Sequence, residues 1–321
     1  MNTGLRITAY GAAVAATFGA AYGIGKGVGP LGEEPKPAHA AEQHKEPGPG
    51  GKQATSPAGG LQISEAGYTL ALETPRVSPG ERTALRFSIK DAQGRKVTAY
   101  EREHEKELHF IVASRDLTVF RHLHPTRAAD GTWSTTADLP AAGGYRAFAD
   151  FKPAKKGAKA LTLGADLAVS GAYTPNPLPT PSRTATVDGY QVTLTGALKP
   201  GKSTPLTLKV AKNSRPVTDL QPYLGAYGHL VALRSGDLAY LHVHPHGTPG
   251  DGTTRPGPAV TFSATAPSQG TYRLFLDFRH EGKVRTAAFT VEAGTAGDTA
   301  AADDTAQPDA HDDAHGATDQ H

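Results

Sequence analysis

Between residues 61 and 293 the apolar side chains come in short runs that alternate with polar ones, and Gly, Pro, Asn or Asp separates one run from the next. The stretch YTLALETPRVSPGERTALRFSIKDAQGRKV, residues 68–97, shows the pattern. Successive side chains of a strand point to opposite faces, so an alternating run is a strand with one buried face. No segment before residue 290 keeps a helical period. Many short strands at this spacing predict an all-β sandwich or barrel.

The pattern is written twice. GYTLALETPRVSPGERTALRFSI at 67–89 matches GYQVTLTGALKPGKSTPLTLKV at 189–210. ELHFIVASRDLTVFRHLHP at 107–125 matches YGHLVALRSGDLAYLHVHP at 227–245, and GYRAFADF at 144–151 matches TYRLFLDF at 271–278. Three matched blocks in one order imply tandem copies of a module. The expected modules span 61–173 and 184–293. TPNPLPTPSR, residues 174–183, joins them as a stiff extended linker.

The ends have a different texture. Arg6 precedes ITAYGAAVAATFGAAYGIG, residues 7–25, and no charge follows until Lys26. That length is near the ~20 residues a membrane-spanning helix needs. It predicts a signal anchor or transmembrane helix over 1–29. Arg6 would then lie on the cytoplasmic side, and the protein would be a single-pass cell-membrane protein with its C-terminal bulk extracytoplasmic. Secretion after signal cleavage is the competing reading, although the small-x-small AHA at 38–40 lies far beyond the apolar run. Residues 30–60, rich in Pro and Gly, predict a disordered stalk, and 294–321 predicts a disordered acidic tail containing three histidines.

Composition narrows the chemistry. The 321 residues suit two domains plus tails at about 150 residues per domain. The net charge of +2 and scattered basic residues give no electrostatic case for nucleic acid. There is no cysteine, and the one methionine is Met1. Disulfides, thiolate metal sites and thioether Cu(I) sites are thereby excluded.

Histidine carries the candidate chemistry. His109 and His122 are 13 positions apart, as are His229 and His242; His124 and His244 complete an HxH in each copy. A two-residue turn at Ser235-Gly236 pairs Arg234 with Asp237 and sets His229 opposite His242. A turn at Arg115-Asp116 likewise sets His109 opposite His122. Residues two apart share a face, so each copy would bring three imidazoles within reach of one ion. Pro125 and Pro245 follow at once and would end ladder pairing at the sheet rim. Asp150 and Asp277, each five residues after a tyrosine, sit in apolar strands; they are expected as ligands or as hydrogen-bond partners of ligating histidines, with a bond to Arg146 or Arg273 as the alternative. The expected metal residues are therefore His229, His242, His244 and Asp277, with His109, His122, His124 and Asp150. His246 and His280 are weaker candidates, and His104 has no counterpart, Leu224 standing at its position. Imidazole with carboxylate or water suits Cu(II) first and Zn(II) next.

PYLGAYGHLVALRSGDLAYLHVHP at 222–245 resembles a recurring block of actinobacterial membrane-anchored envelope proteins with tandem β-sandwich modules. More distantly the chain is similar to YtkA-like and CopC-like copper-related domains. The resemblance implies immunoglobulin- or cupredoxin-like sandwiches and favours copper. The first copy departs from the block, with EREHEKELHF in place of PYLGAYGHL. The functional expectation is an extracytoplasmic protein that binds a divalent metal for buffering, delivery or sensing. The alternative is an immunoglobulin-like interaction module with structural histidines, whose partner is another envelope protein. No general acid or base can be placed beside the histidines, so an enzyme is not expected.

Overall fold

A computed structural model describes residues 58–241 and 243–294. The expected anchor, the acidic tail, most of the stalk and His242 lie outside these residues. The strands of module one are β1 (Ser64–Glu65), β2 (Tyr68–Leu72), β3 (Arg76–Val77), β4 (Gly80–Lys90), β5 (Tyr100–Glu101), β6 (Leu108–Ser114), β7 (Phe120–Leu123), β8 (Thr126–Arg127), β9 (Thr132–Leu139), β10 (Gly143–Pro153) and β11 (Leu161–Val169). Those of module two are β12 (Thr184–Val187), β13 (Tyr190–Thr195), β14 (Ser203–Lys212), β15 (Arg215–Pro216), β16 (His229–Arg234), β17 (Tyr240–Leu241), β18 (Val243–Pro245), β19 (Ala259–Thr265), β20 (Gly270–His280) and β21 (Lys283–Ala293). Among the described residues no helix is long and apolar enough to cross a membrane.

Each module is a two-sheet sandwich. In module one, β1-β2-β4-β9-β8 faces β3-β11-β10-β6-β7; in module two, β12-β13-β14-β19-β18 faces β17-β16-β20-β21. Phe87 of one sheet stacks on Phe110 of the other at 4.1 Å between ring centroids, in the core of module one. Phe262, Leu274 and Phe289 belong to the corresponding core of module two. Tyr145 and Tyr272 are the third residues of the equivalent strands β10 and β20, and each O–H donates to a carbonyl four residues upstream, Ala141 and Ser268, at 2.8 Å. This tyrosine corner is a recurrent device of Greek-key sandwiches.

The two sandwiches also pack face to face. The sheets containing β6 and β16 bury their inward faces in their own modules and press their outward faces together. Ile111, Ala113, Phe120 and Phe148 meet the equivalent Val231, Leu233, Tyr240 and Phe275 in a third apolar cluster. The contacts are quasi-symmetric: Phe120 stacks on Phe275 at 4.0 Å, and Phe148 lies 5.8 Å from Tyr240. The result is a stack of four sheets. Leu178 of the Pro-rich linker packs against the same seam. Residues 58–60, expected in the stalk, form a strap across it. Tyr240 N–H donates to the Gly59 carbonyl at 2.9 Å, and Gly60 N–H donates to the Thr162 carbonyl at 2.8 Å.

Both histidine hairpins differ from the expected register. The pairs are Ile111 with His122 and Leu233 with Tyr240, so each turn is two residues wider than expected. Leu117 and Leu238 explain the difference. Each takes a left-handed conformation in the turn, with φ of 56° and 62°. Each is driven there by burial in the seam, at 1 % and 0 % exposure. A two-residue turn has no place for such an anchor. A shift of two preserves the parity of the strand, so the histidines keep their face.

Candidate metal centre

The HxHP motif marks the point where the chain changes sheets. In module one, β7 ends at Leu123 in the seam sheet and β8 begins at Thr126 in the other sheet, beside β9. His124 therefore sits in the crossover. In module two the crossing comes earlier: β18 already pairs with β19, His244 lies opposite Ser263, and Pro245 is inside this edge strand rather than ending the ladder. His244 is exposed on a sheet other than that of His229. Two of the three expected histidines of module two, His229 and His244, thus lie on different sheets, and His242 is outside the described residues.

In module one three imidazoles do converge. The donor atoms of His109, His122 and His124 all lie within 4.8 Å of one another, the one such group of three among the described residues. His109 leaves β6 toward the seam, and its Nε2–H donates to the Glu103 carbonyl at 3.2 Å. His122 reaches across the seam, and its Nδ1–H donates to Asp277 Oδ2 at 2.8 Å, with both side chains 4 % exposed. These two bonds assign the tautomers. The remaining lone pairs are His109 Nδ1 and His122 Nε2, which face each other 3.1 Å apart. The buried Nε2 of His124 has no hydrogen-bond partner among the described residues.

Burial favours the neutral forms of His109, His124 and His229. It depresses His109 to about 2, with the neighbouring His122 adding to the effect and the Glu103 carbonyl opposing it. It depresses His124 to about 3, with His122 and Lys106 contributing. His229 falls to about 4, again chiefly through burial, against the opposing bond from its Nε2–H to the Leu224 carbonyl. A neutral imidazole is the form that ligates a metal. Two nitrogens bonded to one ion at ~2.0–2.1 Å stand about 2.9 Å apart at a right angle and about 3.4 Å at the tetrahedral angle. The 3.1 Å separation of His109 and His122 falls in that interval.

Module two supplies the far wall. The His229 ring lies 5.8 Å from that of His109 and 6.0 Å from that of His122, and Tyr223 lies 6.0 Å from His124. Asp277 is anchored on its own side, accepting from Thr286 Oγ1 at 2.5 Å. It thus orients a candidate ligand of the other module. Asp150 is its equivalent, accepting from Thr162 Oγ1 at 3.1 Å. It stands outside the three-imidazole group, and burial pushes its carboxyl up to about 6. Neither aspartate pairs with Arg146 or Arg273. Arg146 donates to Asp166 and to the Gly60 and Leu61 carbonyls, and Arg273 Nη1–H donates to Thr290 Oγ1 at 2.8 Å. A cavity of about 320 Å³ opens beside the cluster, lined by His109, His122, Asp150, His229 and His244 among others.

His104 is the residue that sequence spacing missed. Its ring lies 4.9 Å from that of His229, across the seam. It occupies a turn with consecutive left-handed residues, His104 and Glu105, matching Leu224 and Gly225 in module two. The signal available was the departure of the first copy at this turn. His280 is a structural residue, bonded to Tyr190 Oη at 2.7 Å and Asp219 Oδ1 at 2.9 Å. His246 is bonded to Ser263 Oγ at 2.6 Å on the surface.

The chain belongs to the family described as a domain of unknown function (DUF8832), whose model matches it twice, over residues 63–165 and 185–295. No curated protein matches it. Solved structures similar to it include the Escherichia coli adhesin FdeC, at 17 % identity over 72 % of this chain and 65 % of that one, with a TM-score of 0.21. InvD of Yersinia pseudotuberculosis is 12 % identical over 72 % of this chain and 59 % of that one, with a TM-score of 0.23. The fibronectin(III)-like modules of Clostridium thermocellum CbhA are 10 % identical over 70 % and 93 %, with a TM-score of 0.20. The chain spans less than two thirds of the first two of these. Likenesses at such TM-scores do not bear on function.

Proposed function

We infer that the protein binds one divalent transition-metal ion, Cu(II) or Zn(II), through His109, His122 and His124 at the seam of its two modules. The observation that supports this most strongly is the pair of imidazole lone pairs facing each other at 3.1 Å, with the unpartnered Nε2 of His124 beside them. Two lone pairs at that distance repel, and an ion between them converts the repulsion into two bonds. The apolar segment at 7–25 and the resemblance to envelope proteins support an extracytoplasmic, membrane-anchored setting, with immunoglobulin- or cupredoxin-like modules that buffer, deliver or sense the ion. Electron paramagnetic resonance of the Cu(II)-loaded chain tests the ligand set. Nitrogen couplings from several imidazoles, lost together in the His109→Ala, His122→Ala, His124→Ala triple variant, are expected. A spectrum unchanged by the triple variant would place copper elsewhere.

A second reading has its own support. The His109 and His122 side chains already bond to Glu103 and Asp277, and a proton on His122 Nε2 would satisfy the facing pair without metal. The histidines would then seal the seam of an envelope interaction module. Under this reading the triple variant loses stability and no metal affinity.

A further inference from the structure

We propose that ion binding and the docking of the two modules are linked, so that the ion acts as a clasp on the seam. The proposal rests on the metal reading above. Its basis is the bond between His122 of module one and Asp277 of module two, closed at 2.8 Å with both side chains 4 % exposed. Asp277 is itself fixed by Thr286 on the neighbouring strand of its own module. Asp277 thereby sets which nitrogen of His122 carries the proton and which way its lone pair points. It is a positioning residue supplied by the other half of the chain. Separate the modules, and His122 stands on an outer sheet face in water, free to rotate and to take either tautomer. The rings of His229 and Tyr223, which wall the site from module two, leave with it.

Partners of this kind change metal affinity about 10–100-fold when removed. Linkage is reciprocal, so the ion must favour the docked seam by the same factor by which docking favours the ion. The joint that would open is the 174–183 linker, tied to the seam by Leu178 and to the β6–β7 turn by the Asn176 N–H, which donates to Asp116 Oδ2 at 3.0 Å. Cleavage of that linker by a protease therefore reports docking, and a metal titration reports the site.

The experiment uses the whole chain with Zn(II) as probe, comparing the native sequence with Asp277→Asn, Asp277→Glu and Phe275→Ala, and with Phe275→Leu if the alanine variant does not fold. Phe275 stacks on Phe120 in the seam and belongs to no part of the histidine cluster. Zn(II) is expected to slow linker cleavage of the native chain about tenfold or more. Asp277→Asn should bind Zn(II) 10–100-fold more weakly, Asp277→Glu should recover part of the loss, and the Phe275 variant should also bind more weakly. If His124→Ala abolishes binding while Asp277→Asn and the Phe275 variant bind like the native chain, and Zn(II) leaves linker cleavage unchanged, the metal reading stands and the linkage is overturned. If the native chain binds no Zn(II), both fall.

Discussion

Phe275 distinguishes a four-sheet stack from two independent sandwiches more sharply than any other single residue. Its ring lies flat on Phe120 of the other module, with 4.0 Å between centroids and 4° between planes, and it is 3 % exposed. In a free module two it would project from the outer face of β20 into water. Its removal would then cost about 0.5 kcal/mol or less, as exposed substitutions do. In the docked molecule Phe275→Ala removes a buried aromatic side chain from a packed cluster, a change that costs about 3–5 kcal/mol, including the ~0.5–1.5 kcal/mol specific to an aromatic pair. Urea unfolding of the metal-free chain, followed by Trp133 fluorescence and by circular dichroism, measures the difference. Trp133 is buried in the core of module one, so a change in its transition caused by a substitution in module two is direct evidence of docking. A loss below 1 kcal/mol, or a Trp133 transition that does not move, would refute the face-to-face packing.

Acid should destabilise the metal-free protein. His109, His124 and His229 have folded values of about 2, 3 and 4, below the unfolded value of ~6.5, so the unfolded chain binds protons that the folded chain refuses. Stability is then full above ~6.5 and falls as pH drops, by up to about 1.4 kcal/mol per pH unit for each imidazole, which urea midpoints at pH 7 and pH 5 would show; equal midpoints would contradict the burial. Gly164→Ala should detach the strap, because a Cβ there would lie 2.0 Å from the Gly60 carbonyl oxygen and 2.7 Å from Arg146 Nε. A loss of about 1–3 kcal/mol and faster proteolysis near residue 60 are expected, and native-like resistance would count against the strap. His280→Ala should cost about 1–3 kcal/mol by leaving the buried Tyr190 hydroxyl with only its longer contact to Glu281, while metal affinity stays unchanged in a parallel titration.

The all-β class and the duplication were legible because alternation and repeated blocks are local signals. The seam was not anticipated, because its signal is a break in the alternation. HFIVA in β6, YRAFA in β10 and LVAL in β16 are buried without a break, whereas YQVTLT in β13 alternates with solvent. A strand apolar on both faces needs a cover on each, and here the second cover is the other module. The spacing of His109, His122 and His124 pointed to their convergence, although His124 reaches the group from the crossover beyond β7. It did not foretell that they would be completed from module two, since nothing local says which surface an outward face will meet. The register of the hairpins was missed because Leu117 and Leu238 take left-handed turn positions that leucine seldom occupies. Only burial in the seam compensates for that conformation.

Calorimetric titration of the purified chain with Zn(II), beside the His124→Ala variant, tests the central claim most directly. Both chains carry the same acidic tail, so weak binding there cancels in the comparison. The metal reading predicts one saturable site of micromolar affinity or tighter in the native chain and its loss in His124→Ala. Equal isotherms for the two chains would contradict it.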